Sequence, residues 1–227
     1  MNLDIETAVE GLAEIGIYIP DESATRSGQT VEGMLKENML LVNRAGNTVA
    51  HAICGSRNFL TLLPSDFLTE ETLKITNLLG GSAAHYAALC RTLGYINAQL
   101  LTPNVVDQKD NFGGDLLHYA AEGQCLRDVP LRFLTPHNLF RRTDSSGKSP
   151  MSLTGNRSLD HIPWRMFKVS DWLKFLGELR AVSQSPFSEC KALTQFVRKV
   201  EKLNRIKEKE RCKAECQSIA PWTRRHK

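Results

Sequence analysis

Two stretches decide the reading: Asn77-Leu78-Leu79-Gly80-Gly81-Ser82-Ala83-Ala84-His85-Tyr86-Ala87 and Asp110-Asn111-Phe112-Gly113-Gly114-Asp115-Leu116-Leu117-His118-Tyr119-Ala120-Ala121. They align residue for residue over Asx-x-x-Gly-Gly, a capping residue, and a histidine three positions later. A third copy, Asn43-Arg44-Ala45-Gly46-Asn47-Thr48-Val49-Ala50-His51-Ala52, lies upstream. A fourth, Asp144-Ser145-Ser146-Gly147-Lys148-Ser149-Pro150-Met151-Ser152-Leu153, follows with Ser152 in the histidine slot. The glycines at 46, 80, 113 and 147 are 34, 33 and 34 residues apart. A fixed period of this size is the signature of stacked units, and it outranks any element read singly.

A second register keeps the same period. Leu63-Pro64, Ile96-Asn97, Val129-Pro130 and Ile162-Pro163 recur every 33 residues, as do Leu35, Leu68, Leu101, Leu134 and Phe167. Within each unit the chemistry is local. Asn or Asp opens a turn, and glycine takes its positive-φ position. Thr48, Ser82, Asp115 and Ser149 then stand where a side chain caps a helix. Alanines follow, small enough for close helix packing. The segments Phe59 to Leu63, Leu93 to Ile96 and Leu126 to Val129 are expected to form a second, outer helix. The Leu-Thr pairs 68–69, 101–102 and 134–135 are read as the start of a connecting loop.

The pattern resembles the ankyrin repeat, Asp-x-x-Gly-x-Thr-Pro-Leu-His-x-Ala-Ala. The Asx-x-x-Gly-x-(Thr/Ser/Asp) part stands in all four copies, the histidine in three, and the proline only at Pro150. Tetratricopeptide repeats have a similar period but lack this turn and histidine. The resemblance implies an all-α ankyrin-repeat solenoid. It has a helical N-terminal cap over 1–42 and an array over 43–167 (about 43–76, 77–109, 110–143 and 144–167). A helical extension with a basic tail covers 168–227. In the cap, Ile5, Val9, Leu12 and Ile15 share one helix face, Glu6, Glu10 and Glu14 lie on another, and a half-unit begins near Thr30. In the extension, Trp172 to Leu179 read as a capping helix. From about Ser188, Leu193, Phe196, Val197, Val200, Leu203 and Ile206 form an apolar stripe.

Composition fits this reading. The 227 residues are 41% hydrophobic and 24% charged, a globular mixture. No apolar run reaches the length of a membrane span, and the acidic start Met1 to Glu6 does not read as a secretory signal. The net charge of +4 hides an asymmetry: residues 1–163 carry 13 basic against 18 acidic side chains, residues 164–227 carry 16 against 7. Eight of the acidic groups precede Asn43, against only Arg26 and Lys36.

Cys54, Cys90, Cys125, Cys190, Cys212 and Cys216 form no Cys-x-x-Cys pair, so zinc ribbons and disulfide scaffolds are poor readings. Cys212 and Cys216, four apart, read as two reduced thiols on a charged helix. His51, His85 and His118 could suggest a metal site. Equivalent positions on stacked helices lie about 8–10 Å apart, too far to share an ion bound at about 2 Å. The resemblance implies instead that this histidine braces neighbouring turns. No nucleophile elbow, phosphate loop, HExxH or paired-carboxylate motif is present. The chain therefore reads as a non-enzyme with no cofactor and no metal.

What remains is binding. The ankyrin resemblance places partners on turn tips and first helices, a concave face. The tip positions are Arg44, Ala45 and Asn47; Leu78, Leu79 and Gly81; Asn111, Phe112 and Gly114; Ser145, Ser146 and Lys148. First-helix ends add Gly55, Ser56, Leu89, Cys90, Glu122, Gly123, Asn156 and Arg157. The outer tips are polar. The central ones gather Leu78, Leu79 and Phe112, with Leu89 beside them, and apolar tips call for a cover. The expected partner-binding set is Leu78, Leu79, Leu89, Asn111 and Phe112, flanked by Arg44, Asn47 and Lys148. The expected function is a monomeric, cytoplasmic scaffold for a protein partner. By analogy with short bacterial arrays, it suits an effector acting in a host cytoplasm. The alternative is a tether whose basic C-terminal helix contacts nucleic acid or anionic membrane.

Overall fold

The computed structural model describes residues 4–20, 28–154, 198, 201–202, 205–206 and 208–213. Two compact units divide the chain, Met1–Thr154 and Gly155–Lys227. Among the described residues every regular element is helical. Extended pairing is limited to two isolated bridges, Val42 with Thr48 and Thr76 with Ser82. No helix of the described residues is long and apolar enough to cross a membrane. The expected boundary at 167–168, the capping helix at 172–179, Asn156, Arg157, Cys190, Cys216 and the basic tail lie outside the described residues. The described residues between 198 and 213 are helical, and Ile206, one member of the expected stripe, is exposed.

The first unit opens with α1, Ile5–Glu14, capped by Asp4, whose carboxylate accepts from the Thr7 amide at 2.8 Å. Its buried seam is Ala8 and Leu12; Ile5 and Val9 are half-buried and Ile15 is exposed. The expected four-residue stripe is therefore shortened at its end. Gly16, at φ 79°, reverses the chain, so that the Ile17 amide bonds the Leu12 carbonyl. Ile17 and Ile19 then supply the apolar burial beyond the helix. Helix α2, Val31–Glu37, starts at its Thr30 cap.

Next come α3 (Val49–Gly55), α4 (Arg57–Leu62), α5 (Glu70–Lys74), α6 (Ala83–Leu89), α7 (Pro103–Val106), α8 (Leu116–Glu122), α9 (Pro136–Phe140) and α10 (Pro150–Leu153). Helices α3, α6, α8 and α10 pack one on the next. They can approach because the contact residues are small: Ala50, Ala52, Ala83, Ala84, Ala87, Ala88, Ala120 and Ala121 are all buried. The closest approach is at Gly123, the C-cap of α8, where a Cβ would lie 2.1 Å from the Ala88 carbonyl oxygen. Larger side chains close the core: Ile53, Leu73, Leu101, Leu116 and Leu117 are fully buried.

The outer layer differs from the sequence expectation. Leu93–Tyr95 and Leu126–Asp128 form only single 3-10 turns. Both follow a helix end in which a left-handed residue, Arg91 (φ 62°) or Gln124 (φ 61°), reverses the chain. Ile96 and Val129 are already extended, which leaves too few residues to nucleate an α-helix. Phe59 does lie in a helix, α4, because Ser56 is extended and restarts the chain there. The Leu-Thr pairs are helix starts rather than loop starts. Thr69 and Thr135 accept from the Thr72 and Asn138 amides, both at 3.2 Å. Thr102 precedes Pro103 in the first turn of α7. The preceding Leu68, Leu101 and Leu134 are buried. Short helices α5, α7 and α9 thus form the second layer: α5 packs on α3, α6 and α7, α7 on α8, and α9 on α10.

Candidate interaction surface

The surface is built from four turns. In each, one Asx carboxylate or amide oxygen gathers two backbone amides. Asn43 Oδ1 accepts from Ala45 and Asn47, both at 3.0 Å. Asn77 Oδ1 accepts from Leu79 and Gly81. Asp110 Oδ1 accepts from Phe112 and Gly114, and Asp144 Oδ1 from Ser146 and Lys148. The fourth residue of each turn is glycine at φ 75–76°, and its amide bonds the carbonyl of the Asx. A residue with a Cβ would be strained there.

Successive turns are tied together. The Asn111 amide donates to the Leu79 carbonyl at 3.0 Å, and the Ser145 amide to the Phe112 carbonyl at 2.8 Å. Asn111 Nδ2 donates to the Leu78 carbonyl, and Asn77 Nδ2 to Asn47 Oδ1 at 2.8 Å. Below the turns, histidines add a second set of ties. His51 Nε2 faces the Gly81 carbonyl at 3.0 Å, and His118 Nε2 faces that of Lys148 at 3.2 Å. His85 holds the Ser82 amide through Nδ1, and its Nε2 is buried facing the Gln108 backbone. Burial pushes the His85 pKa down to about 4, against the pull of Asp110 and Asp115, and pushes that of His51 down as well. The ring stacks on Tyr119, centroids 4.6 Å apart.

Asp115 is the electrostatic centre of the third unit. Its carboxylate accepts from the Leu117 and His118 amides, meets His118 Nδ1 at 2.7 Å and receives Arg142 at 3.1 Å. Burial alone would raise its pKa. The His118 and Arg142 contacts outweigh burial and hold it below the usual range. Arg142 also binds Asp107, which ties the end of the third unit to the end of the second. Cys54 and Cys125 are buried thiols pushed up to about 12, unsuited to act as nucleophiles. Among the described residues no group of three or more His, Cys, Asp or Glu side chains could hold a metal ion. The three histidines are each held at their own helix caps.

The expected binding residues fall into distinct settings. Leu79 and Phe112 occupy the same place in consecutive turns and are 56% and 58% exposed. Leu78 is 74% exposed, yet its side chain lies over Gly46, where a Cβ would come within 2.3 Å of Leu78 Cγ. Leu78 therefore also stacks one turn on another. Asn111 and Asn47 serve as the inter-turn ties described above, and Asn47 is half-buried. Arg44 and Lys148 are exposed at the outer turns. Leu89 is 42% exposed but is not beside the turn tips. It ends α6, about 9 Å along the axis from Ala83 at 1.5 Å per residue. Gly81, Gly114 and Gly123, expected as exposed positions, are buried, because neighbouring layers close over them. A groove walled by α1 and the ends of α3 and α6 lies outside the expected binding set. Its signal in the sequence is the acidic face of α1, where Glu10 and Glu14 stand one turn apart.

Comparison with models of known protein families gives no match, and comparison with curated proteins gives none.

Proposed function

We propose that the chain is a non-catalytic scaffold of ankyrin type that binds a protein partner through its central turn tips. The 33–34-residue period, the four Asx-Gly turns and the cap-and-brace histidines support the ankyrin reading. The observation that carries the binding reading is the pairing of Leu79 and Phe112. They stand in equivalent positions of hydrogen-bonded neighbouring turns, and both are more than half exposed. Apolar side chains held on rigid, directly linked backbone form an anchor at small entropic cost to the partner.

The full-length chain and its Phe112→Ala and Leu79→Asp variants test this by partner capture and urea unfolding. Partner capture is lost in both variants, and stability moves by no more than about 0.5 kcal/mol, as for other surface changes. Unfolding of either variant would place these residues in the core and end the reading.

A second reading is a tether through the basic segment. The exposed helical Lys202, Arg205, Lys209 and Lys213 favour it. Salt-sensitive binding of the full chain to anionic vesicles is its test, and binding insensitive to salt removes it.

A further inference from the structure

The first unit carries a groove of about 440 Å³ at the C-terminal ends of α3 and α6. It lies at the other end of α6 from the turns, so it stands apart from the Leu79–Phe112 surface. Helix α1 is one wall. Glu10 and Glu14 are one turn apart there and line the groove. Both are exposed, and among the described residues no cation pairs with either. Tyr86, half-buried, supplies the aromatic wall, and the largely buried Phe59 lies at its base.

Two features build this site. Gly55 admits the Tyr86 ring, since a Cβ there would lie 2.8 Å from two ring carbons. His51 meets the same ring edge-on, centroids 5.9 Å apart, and fixes its face. Cys90, an exposed thiol, completes the rim.

We propose that this groove binds a basic polypeptide segment by taking in a lysine or arginine side chain. The aliphatic stem lies along Phe59 and Tyr86, and the cationic head reaches Glu10 and Glu14. The two halves of the groove select such a side chain together. Aromatic walls favour a long stem and a cation over the ring face. Two exposed carboxylates disfavour an acidic ligand through repulsion and an apolar one through uncompensated desolvation. Helix α1 adds to this field, since Asp4 caps it and Glu6 lies in its first turn. The proposal goes beyond the turn-tip reading and does not depend on it.

Fluorescence anisotropy of the full-length protein with a fluorescein-labelled Gly-Arg-Gly-Lys-Gly-Arg-Gly peptide tests it. Saturable binding is expected, weakening as salt is raised. The Glu10→Gln, Glu14→Gln double variant, exposed and isosteric, binds about tenfold more weakly through loss of two charge contacts. Phe112→Ala binds as the wild type. Bound peptide slows alkylation of Cys90, followed by mass spectrometry, and leaves that of the exposed Cys212 unchanged.

Four results overturn the proposal: no saturable binding, full affinity in the double variant, equal affinity for a norleucine peptide, or loss of binding in Phe112→Ala. Dimerisation that the double variant abolishes, without peptide binding, also overturns it and makes a second copy of the chain the occupant.

Discussion

The turn-helix segments 77–89 and 110–122 share a backbone and differ in their wiring. Both use an Asx hub, a glycine near φ 75°, a capped seven-residue helix and a left-handed residue after it. In the first, Ser82 caps α6 with a neutral hydroxyl, and the His85 ring accepts the Ser82 amide. In the second, Asp115 caps α8, and its charge gathers His118 and Arg142. The aspartate cap thus joins the start of the third unit to its end at Arg142, where the serine cap serves its own helix alone. The fold tolerates both because the backbone bonds of the turn do not involve the cap side chain.

The widest expected separation between the two segments comes from removing each cap. Asp115→Ala strips two amide bonds and leaves His118 and Arg142 facing a buried gap, at a cost of about 3–4 kcal/mol. Ser82→Ala loses one neutral cap bond, about 1 kcal/mol. Urea unfolding of the two variants measures both. Equal losses would mean that the Asp115 network contributes nothing beyond capping.

The next effect is in pH. His85 is buried and neutral with a folded pKa of about 4, below its unfolded value near 6.5. Its stability contribution is therefore complete above pH 6.5 and is lost as pH falls toward 4, roughly 3 kcal/mol at that point. His85→Asn, which does not titrate in this window, flattens the stability curve between pH 7 and 4. A curve of unchanged slope assigns the pH sensitivity to other groups.

The smallest effect concerns what the two segments share. Arg91 and Gln124 adopt φ near 60° after their helices, where a Cβ is unfavourable. Arg91→Gly and Gln124→Gly are each expected to stabilise by about 0.5–1 kcal/mol, visible as a raised midpoint in thermal melts. Because the geometry is the same at both sites, the two gains should match. Both gains fall short by the same amount if the 3.4 Å contact between Arg91 and Gln124 contributes to stability, since either variant removes it.

Much of this fold was legible residue by residue. The glycine positions, the capping residues and the Thr30 start were readable because each rests on local backbone chemistry. The placement of the outer layer was not. Leu93 to Ile96 is apolar enough to suggest a helix, but the left-handed Arg91 consumes the chain that the helix would need. No glycine marked that reversal. Thr69 and Thr135 were read as loop residues because a lone threonine signals a cap only when a helix is known to follow. On the surface, exposure of Leu79 and Phe112 followed from register. Leu89 was placed at the end of the first helix, and its distance from the tips then follows from the rise of the helix that Ser82 caps.

The sequence alone determined the period, the four turns and where each first helix begins. Those features depend on φ preferences and hydrogen bonds within a few residues. Tertiary structure decided which equivalents diverge in role. Leu78 stacks on Gly46 while Leu79 stays open, Asp115 recruits Arg142 from 27 residues away, and α1 lays Glu10 and Glu14 beside Tyr86. Each of these depends on residues far apart in the chain being brought near one another, fixed by packing that no local propensity encodes.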